Sequence, residues 1–213
     1  MDTLHLEYSE DRKIWFTSDL HVGHRNVIRF CSRPFADIKE MSTALISNWN
    51  SVVGENDIVF DLGDMFWWDS RHDTRKFVDK LNGTIYKIAG NHDKDPGKLF
   101  SLCDPGKVTV LSDTVTVFVT GFWPDRPKKA IELWLNHFPL ATWPHWNHGS
   151  IQLFGHIHSG PTSGSELDIP GKDLILKEGQ YDVGVDNNNY KPVELKEIVE
   201  KLLKSQESSL SLV

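Results

Sequence analysis

Cysteine is almost missing from this 213-residue chain: Cys31 and Cys103 are the only two. Two thiols cannot make a disulfide framework and do not fall at metal-site spacing. They read as packed, reduced thiols of a cytosolic protein. Also missing is any apolar run near the roughly 20 residues that span a bilayer. The opening stretch MDTLHLEYSEDRK carries charge without the apolar core of a signal peptide. The expectation is a soluble, cytoplasmic protein with no membrane association. Positive charge is in deficit too, with 23 Lys+Arg against 30 Asp+Glu and a formal net charge of −7. That balance argues against broad nucleic-acid binding, which needs a basic face, but leaves room for a locally positive site. No internal repeat, low-complexity tract or linker divides the chain. It reads as a single domain over 1–213, with 206–213 a frayed tail.

What is present points to a folded α/β globule. Apolar residues make up 39% of the chain and include eight tryptophans, enough for a substantial core. Short β-type runs recur at 13–18, 57–62, 84–89, 107–111, 114–120, 131–136, 150–154 and 181–185. Between the first three lie helical patterns. From Asp37 to Val53, Met41, Leu45, Trp49 and Val52/Val53 keep helical spacing, and Asp37 with Glu40 resembles a capping box. A weaker helix covers 71–81. This β-α-β-α-β opening predicts a parallel sheet. The strand-rich middle predicts a second, mostly antiparallel sheet, and a last helix is expected from Pro192 onward.

The chemistry lies where those strands stop. WFTSDLH ends on Asp19 and His21, VFDLGD on Asp64, and KIAGNHD on Asn91, His92 and Asp93. LWLNHFP ends on His137, and LFGHIH on His156 and His158. Loops at the carboxyl ends of strands in open α/β sheets converge on one crevice. Residues spaced by two at a strand end point to the same side, so Asp19/His21 and His156/His158 can each grip one centre. Carboxylate, carboxamide and imidazole without thiolate suit Mn, Fe, Zn, Ni or Co, and do not choose among them. Taken singly, Asp-x-His and Gly-Asp are ordinary turn sequences; five such pieces in this order are not.

As a set, DLH, GD, GNHD, NH and GHIH resemble the calcineurin-like metallophosphoesterase superfamily. SDLHVGHRNVIRFCSRPF (18–35) and YDVGVDNNNYKPVEL (181–195) are similar to a small stand-alone branch of prokaryotes and phages. The resemblance implies a four-layer α/β/β/α sandwich of two mixed sheets flanked by helices. It implies two divalent metal ions, manganese being the first guess. One would be held by Asp19, His21, Asp64 and His158, the other by Asp64, Asn91, His137 and His156. His92 would be the catalytic histidine beside the phosphate, with Asp93 orienting it. A hydroxide shared by the two ions would attack the phosphorus in line. Two ions, two carboxylates and one hydroxide leave a residual positive charge that can hold a phosphate against an acidic surface.

One position departs from the family's usual GDxxD: residue 67 is Trp67, and the candidates to take over the missing carboxylate's part are Asp61 or Asp69. His24, Asn26 and Arg33 are candidate substrate contacts. Arg33 either grips phosphate through its planar donor fork or forms a surface ion pair. Trp67, Trp68, Trp143 and Trp146 either stack on a nucleobase or simply pack. Arg71 and His72 fit a solvated helix start. His145 and His148 either rim the pocket or serve their loop, and His5 has no expected role. The implied activity is hydrolysis of a small phosphate ester, with a phosphodiesterase on nucleotides preferred. The alternatives are a phosphomonoesterase and a non-catalytic scaffold resembling a retromer subunit.

Overall fold

In strand β2 (Ile14–Thr17) every residue is buried, as happens when both faces of a parallel strand are covered. Ile14 and Phe16 enter one core and Trp15 enters another. Strand β3 (Ile58–Asp61) repeats the alternation, with Ile58 and Phe60 on one side and Val59 on the other. The structure, a computed structural model, describes residues 1–67, 71–159 and 176–210, without the side chains of residue 72 and residues 205–210.

β2 and β3 lie side by side in a five-stranded sheet with β4 (Thr84–Lys87), β5 (Val108–Val110) and β10 (Val193–Glu194), in the order β10-β2-β3-β4-β5. The four strands β2 to β5 are parallel, and β10 is antiparallel to β2. The second sheet has the order β1-β6-β7-β8-β9. Its strands are β1 (Asp2–Glu7), β6 (Thr114–Thr120), β7 (Ile131–Asn136), β8 (Ile151–Phe154) and β9 (Gln180–Asp182). Phe16, Phe60, Val117, Leu133 and Leu153 fill the space between the sheets, together with Leu195, Ile198 and Val199 of α5 (Leu195–Leu210). The other core packs the first sheet against α1 (Arg25–Phe30), α2 (Ile38–Asn50), α3 (Arg71–Val78) and α4 (Pro96–Leu99) through Val27, Met41, Leu45, Trp49, Phe77 and Leu99. Two mixed sheets with flanking helices are thus present, as expected. No described helix is long and apolar enough to cross a membrane.

Four features differ from the sequence reading. The second sheet is mixed, since only β6 and β7 pair antiparallel while β1-β6, β7-β8 and β8-β9 are parallel. The loop after β7 returns the chain to the end from which β8 sets out parallel to it. Strand β1 was not foreseen; its alternating half-buried and exposed residues are hidden in a stretch dominated by charge. The last helix begins at Leu195, because Val193 and Glu194 pair with Phe16 and Trp15. It runs on to Leu210, into the segment expected to fray. At α2 the Asp37 carboxylate accepts from the amides of Lys39 and Glu40, while Glu40 accepts from Ala36, so the reciprocal bond lands one residue early. Both cysteines are buried and free.

Candidate metal centre

Three parallel strands of each sheet end at one place. From the first sheet, β2 delivers Asp19 and His21, β3 delivers Asp64, and β4 delivers Asn91 and His92. From the second, β7 delivers His137, β8 delivers His156 and His158, and β9 leads to Asp186. The loops after β2 and β3 extend the sheet pairing. The amides of Asp19, His21 and Val22 donate to the carbonyls of Gly63, Asp64 and Met65, and the Trp67 amide donates to Val22. Nine described non-glycine residues take a left-handed backbone, and five of them are Asp19, His21, Asp64, His156 and His158. That conformation costs on the order of 1–3 kcal/mol per residue and persists where surroundings impose it, most often at functional sites. Glycine is required next to them. A methyl on Gly90 would strike the Asp64 carboxylate, and one on Gly155 would strike Ser18 and Asp19.

The side chains meet around two carboxylates. Asp19 Oδ1 lies 3.9 Å from both His21 Nε2 and His158 Nε2. Asp64 Oδ2 lies 3.4 Å from His137 Nε2, 3.7 Å from His21 Nε2 and 3.9 Å from His92 Nε2. Two groups of donors, Asp19/His21/His158 and Asp19/Asp64/His137, each have ligand atoms within 4.8 Å of one another. Asn91 joins through its Oδ1, 3.0 Å from His137 Nε2. The His156 amide binds Asp19 Oδ2 at 2.8 Å, and its ring packs 5.2 Å from that of His137.

The donor chemistry fits a cation. His137 Nδ1 sits 2.9 Å from the Leu62 carbonyl, to which it must donate. That turns the Nε2 lone pair toward Asn91 Oδ1 and Asp64 Oδ2, which are also acceptors. His158 repeats the device: Nδ1 donates to Asp186 at 2.7 Å, leaving Nε2 to face Asp19. Asp19 Oδ1 and both nitrogens of His21 are buried with no hydrogen-bond partner, and burial holds His21 well below the usual histidine range, so it is neutral. Converging lone pairs of this kind need a positive centre. Burial opposes a charged ring at His137 and His158, yet the neighbouring carboxylates (Asp64 and Asp19 for His137, Asp19 and Asp186 for His158) raise both rings above the ordinary value.

The sequence pattern of the calcineurin-like phosphoesterases matches residues 12–194. The chain belongs to the calcineurin-like phosphoesterase family. Members of this family are metal-dependent hydrolases of phosphate esters. Among relatives, the Gene 66 protein of Mycobacterium phage L5 is 37% identical over 68% of this chain and 77% of its own length. The uncharacterized protein MJ1445 of Methanocaldococcus jannaschii is 46% identical over 39% of this chain. The match spans 48%, about half, of that archaeal relative. The crystal structure of AQ665 from Aquifex aeolicus, a protein of unknown function, superposes with a TM-score of 0.62 over 89% of this chain and 98% of the other. At 21% identity that likeness concerns the fold.

Around the calcineurin-like cluster lies a buried shell that the motifs do not name. Lys87 is fully buried, and its ammonium contacts Asp61 at 2.6 Å, Asp93 at 2.7 Å and the Ile88 carbonyl at 2.8 Å. Asp93 Oδ2 also accepts from the amides of Asp64 and Gly90. Asp93, expected to orient the His92 ring, instead spends this oxygen on the backbone that carries Asp64 and Gly90. Burial pushes the Asp61 carboxyl up to about 6 against the pull of Lys87. Asp61 is occupied by Lys87 and the Gly63 amide and does not replace the carboxylate expected at position 67; Asp69 lies outside the described residues.

Arg33 is corrected most. Its side chain is fully buried, bidentate to Asp186 at 2.9 and 2.8 Å, with further bonds to the Asp19 and Leu20 carbonyls. Every face of the donor fork is used, so it neither reads phosphate nor sits in a surface pair. It anchors Asp186, which orients His158. Burial would raise the Asp186 carboxyl, but Arg33 and His158 hold it down at about 2. His24 does reach the cleft, its ring stacked on Trp67 at 3.6 Å and 5°, and burial lowers it to about 4. Asn26 is exposed on α1.

His145 binds Glu132 at 3.0 Å near the start of β7. There it lines, with His148, Trp123, Trp146 and Lys129, a cavity of about 580 Å³ at the opposite end of that strand from His137. These histidines therefore do not rim the centre. Trp143 is buried and donates to the Ser150 carbonyl, which is packing. His5 stacks on Phe118. Arg71 opens α3 and is exposed, whereas Trp68 and the side chain of His72 lie outside the described residues.

Proposed function

We propose that the chain is a phosphodiesterase that holds two divalent ions and hydrolyses nucleotide-type substrates. The observation that carries this reading is the convergence of lone pairs on Asp19 and Asp64. One ion is assigned to Asp19, His21, Asp64 and His158, and the other to Asp64, Asn91, His137 and His156, with Asp64 shared. When bound, the ions supply positive charge for the phosphate and an acidified water. The chain's own part is to position them and to move a proton. His92 suits the second task. Its side chain is 39% exposed, while its amide donates to Asp64 Oδ1 at 2.9 Å, so the ring faces the cleft from a fixed backbone and can protonate the departing oxygen.

Preference for a diester follows from the charges behind the site. Arg33 and Lys87 are both committed inward and offer the phosphate no further positive charge. A singly charged diester asks for less neutralisation than a doubly charged monoester.

The manganese-loaded protein should hydrolyse bis-p-nitrophenyl phosphate faster than p-nitrophenyl phosphate and stop on addition of chelator. His92→Ala should lower kcat by about 10²–10⁴-fold with bound manganese unchanged by elemental analysis. Loss of metal and activity together would make His92 a ligand instead, and absence of turnover by the loaded protein would favour the scaffold reading. Metal binding should also release protons. His137 and His158 are shifted upward in the metal-free chain, and a ring must be neutral to coordinate, so affinity tightens as pH rises. Calorimetry at pH 7 in two buffers of unlike ionisation enthalpy should detect that release. Identical heats in both would contradict it.

A further inference from the structure

Eight large apolar side chains are strongly exposed among the described residues, and two of them, Trp67 and Phe138, stand against histidines of the cluster. Trp67 lies 4.7 Å from His92 and 6.3 Å from His21, with one face stacked on His24. Phe138 lies 4.6 Å from His156 and 5.0 Å from His137. They remain 46% and 43% exposed, so neither is there to fill a core. Both are held in place. The Trp67 amide donates to Val22, and the Phe138 amide donates to Asn136 Oδ1 at 2.8 Å. Rigid rings presented to solvent beside a charged centre are what binding a planar group requires.

The two rings pack on different histidines, Trp67 on His92 and Phe138 on His137 and His156, and Asp64 Oδ2 reaches both groups, at 3.9 Å from His92 and 3.4 Å from His137. We infer that Trp67 and Phe138 are specificity residues for the two organic arms of a phosphodiester. Trp67 takes a planar group on the leaving arm, and Phe138 a planar group on the arm that stays with phosphorus. The substrate class is therefore a diester with an aryl ring or nucleobase on each side. In the reaction, a water oxygen joins phosphorus and gives up a proton to solvent, the bond from phosphorus to the arm beside Trp67 breaks, and the departing oxygen gains a proton from His92, which is then reprotonated from solvent. The products are a monoester and an alcohol, or a phenol where that arm is an aryl group. This inference rests on the phosphodiesterase reading and adds the residues that choose the arms.

Two chromogenic diesters separate the roles, because both must expel p-nitrophenol. Bis-p-nitrophenyl phosphate carries a ring on both arms, and ethyl p-nitrophenyl phosphate only on the leaving arm. Trp67→Leu and Trp67→Ala should each lower kcat/KM on both substrates by about 5- to 150-fold, the range set by aromatic stacking on one base, and Trp67→Phe should restore most of it. Phe138→Leu should cause a loss of similar size on the diaryl substrate and less than a twofold change on the ethyl one. Bound manganese and melting temperature are measured on every variant, and Leu keeps apolar bulk should Ala disturb a loop. Calorimetry with adenosine monophosphate, an analogue of the monoester product that keeps only the arm assigned to Phe138, should show weaker binding to Phe138→Leu and little change for Trp67→Leu, with inorganic phosphate unaffected by either. Equal losses on both substrates for Phe138→Leu, or unchanged kcat/KM and binding for both Leu variants, would overturn the inference while leaving the phosphodiesterase intact. A wild-type protein that turns over neither diester would instead remove the reading beneath it.

Discussion

Asp64→Ala is expected to lose both metal ions and at least about 10²–10³-fold of turnover, the cost of removing a single preorganised electrostatic group. Among the described carboxylates, Asp64 is the one within 4 Å of three histidine rings. Its Oδ2 faces His21, His92 and His137, and its Oδ1 accepts the His92 amide. Deleting it removes the negative charge that both ions would share and frees the loop carrying His92. Asp64 also sits at a left-handed φ of 55°, where alanine is strained and asparagine is tolerated. Asp64→Asn therefore separates the loss of charge from the loss of conformation, and it too should fail to load. Elemental analysis after dialysis against manganese gives the answer. Retention of two equivalents by either variant would show that Asp64 is not the shared ligand.

Lys87→Met should destabilise the fold by about 3–5 kcal/mol, because breaking a buried ion pair leaves charge without compensation. For a chain of this length that corresponds to a fall in Tm of about 6–20 °C. Asp61 and Asp93 have fully buried side chains and depend on the Lys87 ammonium. Methionine nearly matches lysine in length, so packing changes little. The damage should extend to the centre. Asp93 holds the amides of Asp64 and Gly90, and losing an outer partner of this kind typically costs 10–100-fold in metal affinity. Adding Asp61→Leu should recover part of the stability, since one orphaned carboxylate is then gone. A Tm within 2 °C of wild type for Lys87→Met would refute the account of this triad.

The cluster was legible in the sequence because each of its residues directly follows a strand. A strand end fixes where its loop projects, and parallel strands send their loops to the same edge. The supporting shell was hidden for the opposite reason. Arg33 and Asp186 are 153 positions apart, and only the packing of α1's end against the loop after β9 brings them together. Arg33 in CSRPF looks like a surface residue because arginine usually is one. Lys87 left a readable trace: it shares the buried face of β4 with Ile85, a place where lysine needs a carboxylate. Asp61 and Asp93 were available in the neighbouring motifs. Strand β1 and the two-residue β10 escaped because a short pairing depends on its partner more than on its own composition. Of the two roles the sequence left open for His145 and His148, a rim to the centre or a place in their own loop, the structure supports the second. The loop holding them leaves the carboxyl end of β7 and returns to the start of β8, which carries them to the far end of the sheet.

The most direct test of the paired-ion centre is a crystal soaked in manganese and measured by anomalous scattering. The account predicts two peaks roughly 3.5–4 Å apart, one among Asp19, His21, Asp64 and His158 and the other among Asp64, Asn91, His137 and His156. Featureless density among those side chains, or a lone peak that Asp64 does not touch, would contradict it.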